Sequence, residues 1–263
     1  MENLYNLSFE KINELSKVDN LSEKQIIDLG NFLKVDKRKN VQLFGEKLIR
    51  SALKQKREAE RIKAMYDFDK SFGEFNYVAG VDEVGRGPFA GPIVAAAVIL
   101  DLNQIRNKNF IAGIKDSKLL SPEIREVLAE EIKQNAVAIN IALISNKIID
   151  DRGIGFCNQE VFRKACYGLK YKPELVLSDG YPIKNFNISN KAVVKGDVKS
   201  ASIACASIVA KVFRDSIMKE YALKYPQYVF DHNSGYGTQE HINAIREYGI
   251  TDIHRTSFLK NIL

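Results

Sequence analysis

Four acidic residues follow strand-like or apolar runs, and together they predict metal-dependent hydrolysis of a phosphodiester. Asp82 and Glu83 close an apolar run, Asp179 ends LVLSDG, and Asp197 lies in KGD. Oxygen ligands select magnesium or manganese over zinc. Two such ions about 3.5–4 Å apart activate a water and stabilise the leaving oxygen of a phosphodiester. Taken singly, each acid is also typical of a surface carboxylate or, for Asp197, of a helix cap.

The first two acids are adjacent in sequence, which raises a geometric difficulty. Neighbours in a regular strand point to opposite faces of the sheet. We therefore expect a bulge, or the start of the turn at Gly85, to bring Asp82 and Glu83 together. The turn itself, GRGPFAG, misses the dinucleotide-binding spacing G-x-G-x-x-G by one residue. The sequence contains neither G-x-x-x-x-G-K-[ST] nor HExxH, which argues against phosphate-loop proteins and zinc proteases of that type.

The chain from about residue 73 alternates strand-like and helical segments, which predicts an α/β fold. Strands are predicted at 77–84, 93–100, 137–144, 175–178 and 192–194, the first two as an antiparallel hairpin. Helices are predicted at 121–135, 156–171 and 200–225. Acids at the ends of several strands are how an open α/β sheet builds a site along one edge.

The first part of the chain differs from the rest in composition and in the spacing of its apolar residues. Residues 1–72 lack proline and carry apolar residues at helical spacings among many charges, so several short helices are predicted. The expected division is a helical extension at 1–72 and a catalytic domain at 73–263. Basic clusters at 37–39 and 54–57 are compatible with a solvated helix surface or with a grip on nucleic acid.

Composition favours an ordinary intracellular globular protein with a polyanionic partner. The 263 residues are 45% hydrophobic and 27% charged, with a formal net charge of +6. Three cysteines without CxxC spacing predict reduced thiols. No apolar run approaches the length of a membrane span, so a cytoplasmic protein without membrane contact is expected. Of the three histidines, His241 is expected on the surface of a helix opened by Thr238.

Six motifs, taken in order, closely resemble those of the ribonuclease HII family. They are GVDEVGRGPFAGP, IKDSKLLS, LVLSDG, KGDVKSASIACASIVAKVFRD, GYGTQEH and HRTSF, and they span about 80 to 258. The resemblance implies a ribonuclease H-like fold: a five-stranded mixed sheet flanked by helices, with a C-terminal helical part. The N-terminal helices resemble the leader of some bacterial members.

The resemblance also implies an activity and its cofactors. Members hydrolyse RNA in RNA–DNA hybrids and incise duplex DNA on the 5′ side of single embedded ribonucleotides, leaving 3′-hydroxyl and 5′-phosphate ends. This activity belongs to ribonucleotide excision repair and DNA replication. Two ions of manganese or magnesium are implied, and a monomer is expected. A replication clamp is a candidate further partner, since the apolar and basic tail SFLKNIL would suit either docking or packing back on the domain.

The family's functional residues carry over position by position. The metal ligands correspond to Asp82, Glu83, Asp179 and Asp197. The turn that reads the ribose 2′-hydroxyl corresponds to Gly85, Arg86 and Gly87. Lys118 matches a lysine near the phosphates, and Tyr236 matches the tyrosine that packs on the deoxyribose after the ribonucleotide.

Two other classes stay open beside this interpretation. A resolvase or integrase shares the carboxylate-metal chemistry without reading ribose, although GRG and GYGT argue against it. A catalytically silent hybrid-binding module is the second, although a pure binder gains nothing from carboxylates that face phosphates. The related ribonuclease HIII differs in the turn after its acids, so an intact GRG argues against that family as well.

Overall fold

A computed structural model of the protein describes residues 7–16, 21–102 and 110–260. The chain divides into two compact units, Met1–Arg61 and Ile62–Leu263. The division falls inside a helix, so the predicted domain boundary after residue 72 stays a prediction. No helix in the described part of the chain is long and apolar enough to cross a membrane.

Ten α-helices are found in the described residues. They are α1 (Phe9–Ser16), α2 (Glu23–Lys34), α3 (Lys39–Lys70), α4 (Pro122–Asn135), α5 (Asn146–Arg152), α6 (Ile154–Tyr167), α7 (Gly196–Lys199), α8 (Ala201–Lys224), α9 (Phe230–Asn233) and α10 (Gln239–Tyr248). The strands are β1 (Val78–Val84), β2 (Ile93–Ile99), β3 (Ala138–Ile144), β4 (Leu175–Asp179) and β5 (Ser189–Val193).

The first unit is helical, as predicted, but its helices are not all short. Ser22 caps α2 through a reciprocal capping box with Gln25, whereas α3 runs for 32 residues. Part of the basic charge is neutralised within this unit. The Arg38 guanidinium lies 2.7 Å from the Asp36 carboxylate, and Lys56 lies 3.2 Å from Glu23.

The second unit is built on a mixed sheet with strand order β3-β2-β1-β4-β5. β1 and β2 form the predicted antiparallel hairpin, and β3 pairs antiparallel with β2. β4 runs parallel to both β1 and β5. The sheet is therefore the five-stranded mixed sheet that the resemblance implied. β5 begins earlier than the sequence predicted, and α6 ends at Tyr167, just before Gly168.

Helices cover both faces of this sheet. α8 packs on the face that carries Val94, Ala96 and Val98, while α6 packs on the face that carries Ala95 and Ala97. α8 approaches β1 very closely at Gly80, where a Cβ would lie 2.1 Å from the Ser202 carbonyl carbon. The small residues of α8 and this glycine thus bring helix and strand into backbone contact.

The end of α3 belongs to the second unit. Met65 and Tyr66 are buried in its core together with residues of α8. Asp69 is also buried, and its carboxylate accepts hydrogen bonds from the Ser202 backbone N–H at 2.9 Å and hydroxyl at 2.8 Å. Asp69 therefore satisfies a free amide in the first turn of α8. Burial raises the pKa of this carboxyl to about 6.

Candidate active site

The carboxyl ends of β1 and β4 meet at one edge of the sheet and place two acids there. The two strands are parallel, and Val81 pairs with Ser178 just before Asp82 and Asp179. Paired residues of parallel strands share a face, so Asp82 and Asp179 both point to the α8 side. Ser207 of α8 hydrogen-bonds Asp82, and the Gly196 N–H donates to Asp179 Oδ1 at 2.7 Å.

Glu83 lies on the opposite face of the sheet, toward α6. It pairs with Ala95, which belongs to the core on that face. Its Oε1 accepts a hydrogen bond from the Tyr181 hydroxyl at 3.0 Å, and that hydroxyl accepts one from the Asn158 amide at 2.6 Å. A chain of polar groups from α6 therefore holds Glu83 at the edge of the sheet. The sequence signalled neither Tyr181 nor Asn158.

The bulge expected between Asp82 and Glu83 does not form. β1 stays in continuous antiparallel register with β2 as far as Val84, and the turn begins only at Gly85. The two carboxylates instead flank the end of β1 from its two faces. The last β1–β4 pair is Val81 with Ser178, so both acids follow the part of β1 that pairs with β4.

Asp197 approaches from α7, which follows β5. Its neighbours include Asp179, Asp116 and Lys118, all of which act on its carboxyl electrostatically. Asp116 caps a single 3₁₀ turn by accepting the Lys118 N–H at 2.9 Å. The DSK motif therefore lies beside the acids, with its lysine in electrostatic reach of Asp197. The predicted site residues Asp179, Asp197 and Lys118 come from separate parts of the chain and are brought together here.

Burial and mutual repulsion raise the pKa of three of the acids. Burial is the largest cause for Asp82, whose pKa lies well above its usual range, and the neighbouring Glu83 and Asp179 add to it. Burial also raises the pKa of Glu83, against the hydrogen bond from Tyr181 and the charge of Arg86. For Asp197, burial and then Asp179 raise the pKa. Ionised, these groups need a cation to offset their repulsion.

The donor set suits a hard divalent cation, since it contains carboxylate oxygens and no thiol or imidazole. As the side chains stand, no three acidic, histidine or cysteine residues of the described segments converge closely enough to hold one ion. The chemistry of the donors and their mutual repulsion therefore fit the metal, while their placement does not yet form a closed ligand shell.

The glycine turn starts directly beyond Glu83. Arg86 Nη1 lies 3.5 Å from Glu83 Oε1, and its guanidinium lies 5.3 Å from the centre of the Tyr181 ring. Gly85 has φ +92°, and a Cβ there would lie 2.4 Å from Arg214 Nε. Gly85 is thus required by the fold itself. Arg86 is more than half exposed and faces outward from the edge that carries the acids.

Two buried arginines bind the backbone carbonyls of this turn, and neither of them was assigned to the site from the sequence. Arg255 Nη2 donates to Gly85 O at 2.7 Å, Nη1 to Arg86 O at 3.0 Å, and Nε to Gly91 O at 3.0 Å. In a trans peptide the N–H points opposite to the C=O. With two carbonyls turned toward Arg255, the N–H groups of Arg86 and Gly87 point away from it. Burial lowers the pKa of Arg255 to about 9.

Arg214 acts in the same way on the next stretch of the turn. It is fully buried, and its guanidinium donates to Pro92 O at 3.0 Å, Ala90 O at 3.1 Å and Ser234 O at 2.9 Å. Arg214 orients backbone, whereas Asp215 pairs with Arg125 and Lys211.

Tyr236 lies against the glycine turn. Its side chain is 44% exposed, and its Cε1 lies 3.7 Å from the point where a Cβ of Gly87 would be. The two loops are joined by backbone hydrogen bonds from Phe89 N and Ala90 N to Gly235 O. Gly87, Arg86 and Tyr236 therefore form one surface beside the acids.

His241 is not on the surface, contrary to expectation. Thr238 caps α10 as predicted, accepting the His241 N–H at 3.3 Å. The imidazole is nevertheless fully buried and contacts His254 of the HRTSF motif. A single histidine among the polar residues of this helix carries no sequence signal for a partner 13 residues away.

A five-stranded mixed sheet with acids at the joined ends of β1 and β4 defines a ribonuclease H-like nuclease. Comparison with known proteins agrees: the family model for ribonuclease HII matches residues 79–261. The ribonuclease HII of Clostridium perfringens (strain 13 / Type A) is 57% identical over 265 residues, covering 100% of this chain and 97% of that protein. The chain therefore belongs to the ribonuclease HII family and is an endonuclease that hydrolyses RNA in RNA–DNA hybrids.

Two of the solved structures with the same fold come from archaea. The ribonuclease H2 from Pyrococcus horikoshii OT3 is 29% identical, with a TM-score of 0.61, over 71% of this chain and 96% of that one. A PCNA:RNase HII complex from Archaeoglobus fulgidus matches at 27% identity and a TM-score of 0.59, over 70% of this chain and 96% of that one. Both likenesses agree with the ribonuclease H-like fold that the sequence predicted.

Proposed function

We propose that this ribonuclease H also incises duplex DNA on the 5′ side of a single embedded ribonucleotide, leaving 3′-hydroxyl and 5′-phosphate ends. The observation that carries the proposal is the contact between the acids and the glycine turn, where Arg86 Nη1 lies 3.5 Å from Glu83 Oε1. The 2′-hydroxyl is the one sugar group that separates RNA from DNA at a given position. A turn that reads the sugar beside the cleaving group suits recognition of one ribonucleotide.

The acids are proposed as the metal site. Asp82, Glu83, Asp179 and Asp197 would hold two ions of magnesium or manganese. Such ions, when bound, activate water and stabilise the leaving oxygen of the phosphodiester. The protein's own contribution is to orient the acids: Tyr181 holds Glu83, and the Gly196 N–H holds Asp179.

The remaining site residues are proposed as substrate contacts. Gly85, Arg86 and Gly87 would present backbone N–H groups and one cation to the ribonucleotide, because Arg255 turns the carbonyls of the turn away from it. Tyr236 would pack on the next sugar, where a flat ring leaves no space for a 2′-hydroxyl. Lys118 would contact a backbone phosphate as a flexible point charge.

Cleavage of a labelled DNA duplex with one internal ribonucleotide tests this function directly. With magnesium or manganese present, we expect a single cut 5′ to the ribonucleotide and none in an all-DNA duplex of the same sequence. Cutting of the all-DNA duplex would favour a resolvase-like nuclease. Cutting of a long hybrid but not of the single ribonucleotide would overturn the finer proposal and leave the family activity intact.

The two glycines of the turn should respond differently to alanine. Gly87→Ala should fold normally, because a Cβ would meet only the Tyr236 ring at an ordinary 3.7 Å. It should still lower kcat/KM for the ribonucleotide duplex about tenfold, since the methyl takes up space that the sugar needs. Steady-state cleavage and thermal melting measure the two effects.

Gly85→Ala is the matched comparison. Here the methyl would meet the buried Arg214 at 2.4 Å and the strained φ of +92°, so the variant should lose stability together with activity. If Gly87→Ala cut the duplex as well as the wild type, the surface at Gly87 would not approach the sugar. Equal melting temperatures for both variants would contradict the packing behind Gly85.

The cellular setting is proposed on the family likeness. Ribonucleotide removal would place the protein in excision repair and DNA replication, as a cytoplasmic monomer. A replication clamp is a proposed partner because of the archaeal complex with PCNA. Within the tail, Leu259 is buried and Phe258 lies 5.2 Å from the Arg255 guanidinium. Those two apolar side chains pack back on the domain, and residues 261–263 lie outside the described part.

A further inference from the structure

Two buried histidines connect Tyr236 to the HRTSF motif. His241 and His254 are 0% and 2% exposed, and their Nε2 atoms lie 3.0 Å apart. On the far side, His254 Nδ1 lies 2.9 Å from the Thr251 backbone N. On the near side, His241 Nδ1 lies 2.9 Å from the Tyr236 carbonyl oxygen. The four groups form one continuous hydrogen-bonded chain.

The ends of this chain fix its direction. The Thr251 N–H can only donate, so His254 Nδ1 accepts and the proton of that ring is on Nε2. His254 therefore donates to His241 Nε2. The Tyr236 carbonyl can only accept, so His241 carries its proton on Nδ1 and donates it there. Both rings are neutral, and every polar atom of both rings has a partner.

Burial agrees with two neutral rings. It lowers the pKa of His241, and it lowers the pKa of His254 to about 4, with His241 as a further cause. The rings of Tyr228 and Phe230 surround the pair, with centroids 5.1 to 6.1 Å from those of the imidazoles. A polar connection through such an apolar core is costly unless it is fully satisfied.

The chain ends on the residue whose orientation matters for the substrate. The Tyr236 N–H donates to Asn233 O at 2.9 Å, and its carbonyl also accepts the Thr238 N–H at 2.8 Å. At the other end, His254 precedes Arg255, whose guanidinium holds the carbonyls of Gly85 and Arg86. The dipeptide His254–Arg255 therefore contacts both loops. Arg255 binds the carbonyls of the glycine turn, and His254 binds His241, which in turn binds the Tyr236 carbonyl.

We propose that His241 and His254 are positioning residues that set Tyr236 at a fixed place relative to the glycine turn. This inference rests on the proposed function, in which the turn reads one sugar and Tyr236 reads the next. The spacing of the two readers must match the spacing of adjacent sugars. Loss of a hydrogen bond in this series would let Tyr236 move. The nuclease would then discriminate less strongly between deoxyribose and ribose at the sugar that follows the ribonucleotide.

The measured quantity is junction selectivity. It is the ratio of kcat/KM for a duplex with one ribonucleotide to kcat/KM for a duplex with several consecutive ribonucleotides, cut between two of them. His241→Leu should lower this ratio about fivefold, since one positioning hydrogen bond is lost. His241→Asn keeps an N–H donor at the position of Nδ1 and should restore most of the ratio. The exposed His232 supplies a matched control, with His232→Leu expected to keep the wild-type ratio.

A merely structural role would give a different pattern. His241→Leu would then slow both cuts equally and leave the ratio unchanged, which would overturn the proposal. Nitrogen NMR of the wild-type imidazoles supplies a second test that needs no variant to fold. We expect His241 protonated at Nδ1 and His254 at Nε2 at neutral pH. The opposite tautomers, or a doubly protonated ring, would also overturn it.

Failure of the proposed incision and failure of the proposed role of the histidines would give different results in these experiments. If the wild-type protein cut the several-ribonucleotide duplex but not the single one, the proposed incision would be wrong, and the spectra would still report whether the histidine chain exists. If the wild-type protein cut both duplexes and His241→Leu left the junction selectivity unchanged, only the positioning proposal would fail.

Discussion

Asp82→Asn is expected to abolish cleavage, lowering kcat by about 10³-fold or more, since the site loses a proposed metal ligand worth several kcal/mol. The asparagine side chain would keep an oxygen that accepts the Glu83 N–H, which Asp82 Oδ1 now accepts at 2.8 Å, so the backbone should stay in place. Single-turnover cleavage of the one-ribonucleotide duplex, with magnesium and with manganese, measures the loss.

The same variant should be more stable than the wild type without metal. The folded-state pKa of Asp82 is raised by burial and by Glu83. An acid with a raised folded pKa costs stability as pH rises from its unfolded pKa through its folded one. The gain from asparagine should therefore be full at alkaline pH and vanish in acid, as thermal melting at pH 8 and pH 4 would show.

The two readouts together exclude misfolding as the cause of lost activity. Asp116→Asn, in the neighbouring DSK motif and more exposed, is a matched control that should retain most of the cleavage. An active Asp82→Asn variant would contradict the assignment of this acid to the site, whatever its stability.

Arg255→Lys is expected to have the largest effect on stability. Lysine has one ammonium nitrogen, which cannot reach all the places where the three nitrogens of the guanidinium now donate to the carbonyls of Gly85, Arg86 and Gly91. Leaving two buried carbonyls unpaired should lower the free energy of unfolding by about 3 kcal/mol. Urea unfolding followed by circular dichroism gives this quantity. Cleavage of the ribonucleotide duplex should fall about 10²-fold, because the turn shifts relative to the acids.

Arg163→Lys provides the comparison. Arg163 also donates to a carbonyl, that of Lys184 at 2.8 Å, but on α6 and in a pair with Glu160. Its replacement should cost less than about 1 kcal/mol, as expected for a partly exposed ion pair. An Arg255→Lys variant as stable and as active as the Arg163 variant would show that the turn keeps its shape without the guanidinium.

The sequence predicted the fold and the acids more fully than their surroundings. Acids at several strand ends were expected from the sequence to share one edge of the sheet, and the parallel pairing of β1 with β4 brings Asp82 and Asp179 to that edge. The position of Glu83 did not follow, because the strand stays regular and the residue is held by Tyr181 from the other face. A bulge or the start of the turn at Gly85 was expected to bring the two acids together, but no bulge forms and the strand continues past Glu83 to Val84.

Buried charged and polar residues were the other omission. Arg214 and Arg255 look like surface cations in a sequence, since arginine is seldom fully buried. Their partners are backbone carbonyls far along the chain, and carbonyls leave no sequence signal. His241 was misplaced for the same reason, because its partner His254 is 13 residues away across a turn.

Asp69 has a consequence for where the catalytic unit can be cut. The family match begins at residue 79, yet Asp69 caps the first turn of the helix that carries Ser207 against Asp82. A chain shortened to the family match would lose this cap and the side chains of Met65 and Tyr66 from the core beneath it. A chain cut near residue 62, where the second compact unit begins, would keep this cap, although that point lies inside a helix that the family match leaves out.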